Sequence, residues 1–234
     1  MNLKETLDHF QNKKYFDEHA EYISDHLDKY YSESEIKVFH EIMTFDFKVH
    51  IYFINSKKHS FNILLTSGMS SLEMNVEEGA KNKEDLRFAE LMLLIPKDIE
   101  FQQVYTGENI NDWIISMLKQ TAKFPHQYDT WIGIGHTIQA TADLQTYSAE
   151  TDFVGGIILP PVTFDEKFTQ IKKNGKIINI YSLFPLYKNE LEYKIGNGYN
   201  AFLDLLIKAN SKEVLDNKRK NIIPKKSFWN KLKI

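Results

Sequence analysis

Reactive side chains are sparse in this chain, and their densest grouping is His126, Asp129 and His136, two imidazoles and a carboxylate within eleven residues. Such a set could relay a proton, bind a ligand or partner, or simply hold a loop in shape. As a metal site it is incomplete, because tetrahedral zinc takes three or four ligands at about 2 Å. His9, His19 and His26 fall in an N-terminal helical region. His19 and His26 lie seven residues apart, about two turns, too far to chelate one ion together, and read as solvent-side residues. His50 falls on the polar phase of a strand and His59 in the turn after it. Glu90 and Glu190 are the inward-facing carboxylates, candidates for a general acid or for ion pairs and backbone hydrogen bonds. Arg87 is one of two arginines in a lysine-rich chain, and its planar fork suits a carboxylate inside the fold or a binding surface. There is no cysteine, hence no thiol nucleophile, disulfide or thiolate-bound metal. Phosphate-cradling, metallopeptidase and serine-hydrolase motifs are missing. The nearest imitation, Gly133-Ile134-Gly135-His136-Thr137, lacks a third glycine and a following helix. No cofactor is expected.

The elements that must carry these groups follow from periodicity. Phe16, Ala20, Ile23, Leu27 and Tyr30 form a helical stripe, preceded by a shorter one of Leu3, Leu7 and Phe10. Phe45, Phe47, Val49, Ile51 and Phe53 alternate as a half-buried strand does, and the polar turn 55–60 leads into a second strand over 61–66. A buried strand spans 87–95 and stops at Pro96. Ile110, Trp113, Ile114, Met117, Leu118 and Thr121 mark an amphipathic helix, with Trp113 in the core and a break expected before Phe124-Pro125. Residues 129–149 read as a surface loop in which Trp131 is a core plug or an interface anchor. Strands are expected over 153–159 and over 176–184, each ended by proline, with a helical or irregular stretch before Gly175. A closing helix carries Tyr199, Phe202, Leu203, Leu206 and Ile207. Hairpin strands mixed with helices, without regular strand–helix alternation, predict an α+β fold, a mixed, largely antiparallel sheet packed against helices.

At 234 residues, with 42% hydrophobic and 26% charged residues, the chain can bury a core without staples. Its net charge of −3 conceals an asymmetry. Residues 216–234 hold seven basic residues and one acid, leaving −9 on the other 215. An acidic body argues against direct nucleic-acid binding. No membrane-length apolar run or signal-peptide pattern occurs, so a cytoplasmic protein is expected.

Several ordered segments resemble the suppressor-of-fused family. They are Leu64-Leu65-Thr66-Ser67-Gly68-Met69-Ser70-Ser71, Arg87-Phe88-Ala89-Glu90-Leu91, the tryptophan-led helix at Trp113, Thr130-Trp131-Ile132-Gly133-Ile134-Gly135-His136-Thr137, and Phe184-Pro185-Leu186-Tyr187-Lys188-Asn189-Glu190. The resemblance covers roughly residues 35–216. It implies a non-enzymatic protein-binding domain over 35–216; apolar spacing adds a packed helical segment over 1–34, and charge a basic C-terminal tail over 217–234 that the resemblance does not explain. A single domain of this size is closer to bacterial members, which look like immunity proteins that neutralise a toxin, often a nuclease. Two subdomains split within 96–109 are the alternative organisation. Ser67, Gly68, Ser70, Arg87, Glu90, Trp113, Tyr187 and Glu190 are then candidate structural residues. The acidic run Glu73, Glu77, Glu78, Glu84 and Asp85, with Trp131 and His136, is the candidate partner surface, because a basic partner would be steered to it. The expected state is a monomer or weak dimer. The competing reading is a small-molecule-binding or hydrolytic enzyme built on His126, Asp129 and His136.

Overall fold

A computed structural model describes residues 16–41, 47–104 and 110–223. The expectations for Leu3, Leu7, His9, Phe10 and Phe45 lie outside these residues. Helix α1 (Phe16–Tyr31) turns Ile23, Leu27 and Tyr31 inward, as the 3- and 4-residue spacing dictates. Strands β1 (Glu35–Phe39), β2 (His50–Asn55), β3 (Phe61–Ser67) and β4 (Phe88–Pro96) then form an antiparallel meander. The edge strand β1, only five residues long, was not anticipated from the pattern. Helix α2 (Asp112–Gln127) precedes the short strand β5 (Thr137–Gln139) and β6 (Phe153–Leu159). The chain continues through the one-turn helix α3 (Glu166–Thr169), β7 (Gln170–Lys173), β8 (Lys176–Tyr187) and helix α4 (Lys188–Lys208).

The sheet runs β1-β2-β3-β4-β8-β6-β5, with β7 paired to β8 beside this path. Every described pairing of these strands is antiparallel except β4 with β8. This is the mixed, largely antiparallel sheet of the α+β expectation. The period-2 rule sorts each central strand into two layers. Phe61, Ile63 and Leu65 with Phe88, Met92 and Leu94 pack under α1, whereas Leu64 with Ala89, Leu91, Leu93 and Ile95 packs under Trp113, Ile114, Met117 and Leu118 of α2. A third cluster joins Leu191, Phe202 and Leu206 of α4 to Ile157, Phe184 and Leu186.

Several boundaries differ from the expectations: β2 begins only at His50, and the expected loop 129–149 contains β5. Helix α2 runs through Phe124-Pro125. Proline in the last turn forfeits a single N–H bond, and Tyr128 N and Thr130 N close the end on Phe124 O and Pro125 O. Strand β8 likewise continues through Pro185. Its register with β4 ends at Ser182, so Pro185 pairs on one side only, opposite Gly156. Residues 170–176 form a hairpin around Asn174 and Gly175, both at positive φ (50° and 72°), in place of a helical or irregular stretch. Helix α4 starts at Lys188 and kinks at Gly198 (φ 84°, ψ 173°). Ile110 and Ile207, assigned to apolar stripes by spacing, are 58% and 68% exposed.

Candidate functional site

The loop after β3 is built around a buried carboxylate. Glu90 on β4 is fully buried and accepts hydrogen bonds from Thr66 Oγ1 (2.6 Å), Gly68 N (3.0 Å), Ser70 N (3.0 Å) and Ser70 Oγ (2.7 Å). Leu91 N donates to Thr66 Oγ1, and Ser71 Oγ donates to Gly68 O. Burial pushes the Glu90 carboxyl above the ordinary value of 4.5, against the pull of these donors. Gly68 sits at φ 128°, where a Cβ would lie 2.1 Å from Lys48 O. Two further carbonyls of the loop are used by two helices. Ser70 O meets His19 Nδ1 at 2.7 Å from α1, and Met69 O meets His126 Nε2 at 2.8 Å from α2. His19 is therefore buried, against the expectation of a solvent-side residue. Its ring lies edge-on to Phe88, and burial lowers its pKa below 6.5. His26 is half-buried, bonded to Phe168 O, and shifted the same way by the same cause. Gly68, Ser70 and Glu90 thus shape the loop onto which α1 and α2 dock, and the buried Ser67 ends β3 just before it.

Arg87 does not enter the core. Its guanidinium, about one-third exposed, spans Glu73 (2.6 Å) and Glu84 (2.7 Å) at the surface. Glu90, three residues on, is held by hydroxyl and amide donors instead. The acidic run is also partly neutralised. Lys81 and Lys83 lie among the five acids and Arg87 follows them, and Lys83 pairs with Glu78. Glu77 and Asp85 are exposed. Backbone bonding places this run against the tryptophan loop: Asn75 N donates to Thr130 O (3.1 Å) and Asn75 Nδ2 to Asp129 O (3.3 Å). Trp131 is partly buried against the main core and lies edge-on to His136, with ring centroids 4.4 Å apart. A Cβ at Gly133 would sit 2.8 Å from the Trp131 ring, and one at Gly135 3.1 Å from the Tyr199 ring, so the glycines let the loop close over aromatic surface. Ile134 at its tip is 49% exposed.

The candidate triad is spread over different surroundings. His126 is buried with its ring against Phe47, Asp129 is exposed at φ 48°, and His136 packs on Trp131. Among the described residues, no group of three His, Asp or Glu is placed to hold a metal ion.

A buried ion pair lies elsewhere. Glu190, in the first turn of α4, is fully buried and accepts from Tyr187 N, from Ile222 N and from both terminal nitrogens of Arg219. Arg219 Nη2 also donates to Pro185 O (2.8 Å), and Tyr187 Oη donates to Arg219 O (2.6 Å). Arg219 thus belongs to the fold, although by charge it falls in the basic end 216–234. The available signal was that it is the second of two arginines, matched to an inward carboxylate. Trp113 is core, as expected.

No curated protein sequence matches the chain. Among solved structures, it is similar to a putative SUFU homolog from Neisseria gonorrhoeae FA 1090, at 13% identity and TM-score 0.64, with 89% of this chain and 98% of that chain covered. It is similar to the protein in a Sufu–Fu complex, at 13% identity and TM-score 0.59, covering 87% and 92% of the two chains. Drosophila Suppressor of Fused aligns at 12% identity and TM-score 0.56 over 86% of this chain and half of that one. These likenesses show a shared fold. The family described as suppressor of fused protein (SUFU) matches residues 46–220, three-quarters of the sequence, and the chain belongs to that family.

Proposed function

We propose that the protein is a non-enzymatic binding module, an immunity protein that neutralises a basic toxin such as a nuclease. One observation carries the placement of the surface: Asn75 stitches the acidic run to the Thr130–His136 loop, so separate sequence segments make one face. That face combines exposed acids (Glu73, Glu77, Glu78, Glu84, Asp85) with Trp131, Ile134 and His136, an aromatic and apolar centre beside a charged border. The Sufu–Fu complex, in which a member of the fold is bound to another protein, supports the general reading. On this reading residues 35–216 form the binding domain, flanked by 1–34 and 217–234, and the protein acts in the cytoplasm as a monomer or weak dimer.

The test is co-purification from the native cell with mass spectrometry to identify the partner, then association kinetics across a salt series. Reversing Glu77 and Glu78 to Lys should slow association at low salt by about tenfold and flatten its salt dependence. Trp131→Ala should chiefly speed dissociation. Unchanged kinetics for both variants would remove this face from the interface. An identified partner with an acidic surface would remove the steering argument.

A further inference from the structure

The surroundings of Arg219 have the composition of a receptor site. Its guanidinium carbon lies 5.1, 4.9 and 4.7 Å from the ring centroids of Phe153, Phe184 and Tyr187, and its nitrogens meet both oxygens of Glu190 and the carbonyl of Pro185. Three aromatic faces, a two-oxygen carboxylate and a carbonyl match the charge, planarity and donor fork of an arginine, and fit a lysine ammonium poorly. Every part of this socket belongs to the framework: Phe153 to β6, Phe184, Pro185 and Tyr187 to β8, Glu190 to α4.

The ligand comes from a segment of different character. Residues 216–223 contain no helix or strand. Beside the socket they are fastened by Thr151 to Asn217, Asn217 to Glu150 O and Asn221 to Asn189, and by Ile222 packed against the third apolar cluster. Arg219 keeps 13% of its side chain exposed, so the socket opens to solvent along the strap. Among the described residues, Arg219 is the cation paired with Glu190, whose carboxylate would be left uncompensated and buried if the strap lifted. A lifted strap therefore leaves a carboxylate and three aromatic faces whose charge and shape a guanidinium matches.

We propose that Glu190, Tyr187, Phe153 and Phe184 form an arginine-binding site, filled in cis by Arg219, and that a peptide arginine can occupy it when the strap 216–223 is displaced. The strap is then a built-in competitor, present at the millimolar effective concentration that a short tether confers.

The test is chemical rescue. Arg219→Ala should lower Tm, and ethylguanidinium at about five times its Kd should restore about 2–4 °C, with little effect on the unmutated protein. Ethylammonium at equal ionic strength should restore little. Equal rescue by the two cations, or none by either, overturns the proposal. If Arg219→Ala does not fold, the unmutated chain gives the answer: N-acetyl-arginine amide at about 100 mM, well above that effective concentration, should speed hydrogen exchange of the Ile222 amide several-fold. The lysine analogue should not, and equal exchange with the two amides overturns the site.

Discussion

At the scale of single residues, the two buried glutamates are neutralised by opposite means. Glu190 receives a guanidinium, whereas Glu90 receives two amides and two hydroxyls, and burial raises its pKa. A carboxyl whose native pKa exceeds its unfolded value holds its proton more tightly when folded. Its contribution to stability is therefore complete below about 4.5 and declines as pH rises through the native value. Glu90→Gln should abolish that decline while keeping the acceptor for Gly68 N and Ser70 N, at a cost within about 1 kcal/mol in urea unfolding. Glu90→Ala strands buried amides and should cost about 2–4 kcal/mol. A Gln variant as damaged as the Ala variant would mean that Glu90 is needed as an anion.

Among the elements, α1 has a docking that acid should loosen. It is seated by apolar contacts and by His19 and His26 bonded to the carbonyls of Ser70 and Phe168, and burial lowers both histidines' pKa below 6.5. His19 also faces Glu18 and Tyr22 on its own helix, and Phe88 and Lys176 from the sheet. An imidazole with a depressed native pKa takes its proton first in the unfolded chain, so this stability is complete above 6.5 and lost as pH falls. Corrected for intrinsic rates, amide exchange in 20–31 should rise between about pH 7.5 and 5.5 more than in α4, which has no histidine. Equal changes in α1 and α4 would exclude the histidines as the cause. Strands and helices with strong periodicity were legible because burial imposes that period, hence 61–66, 87–95, 153–159 and the apolar face of α2. The misread places are those where tertiary context overrides a local rule. Pro125 and Pro185 sit where a missing N–H costs little, and Asn174-Gly175 is a two-residue hairpin signal that the sequence does carry. The acidic run and the Trp131 loop were each visible as candidates. Their contact through Asn75, 54 residues from Asp129, was not, because a single side chain and a single amide make it.

For the whole molecule, charge and topology divide the chain differently. The acidic body and basic end seen in the sequence are not separate bodies, since Arg219 carries part of the basic end into the sheet's aromatic layer. The topology divides at β4. Strands β1–β4 are joined by sequential antiparallel pairings, while the parallel contact of β4 with β8 joins Phe88 to Ile178, ninety residues away. Long-range pairing is slow because loop closure precedes its reward. Pulse-labelled exchange during refolding should therefore protect β2 and β3 before β8 and β6, and simultaneous protection would show a single cooperative step. The same crossover bears on synthesis. A chain emerging from the ribosome at about 5–20 residues per second exposes the free edge of β4 for several seconds before β8 follows. During that interval the apolar edge at the centre of the future sheet is open to pairing with other nascent chains, so expression at lower temperature or with a chaperone holding that edge should raise the soluble yield.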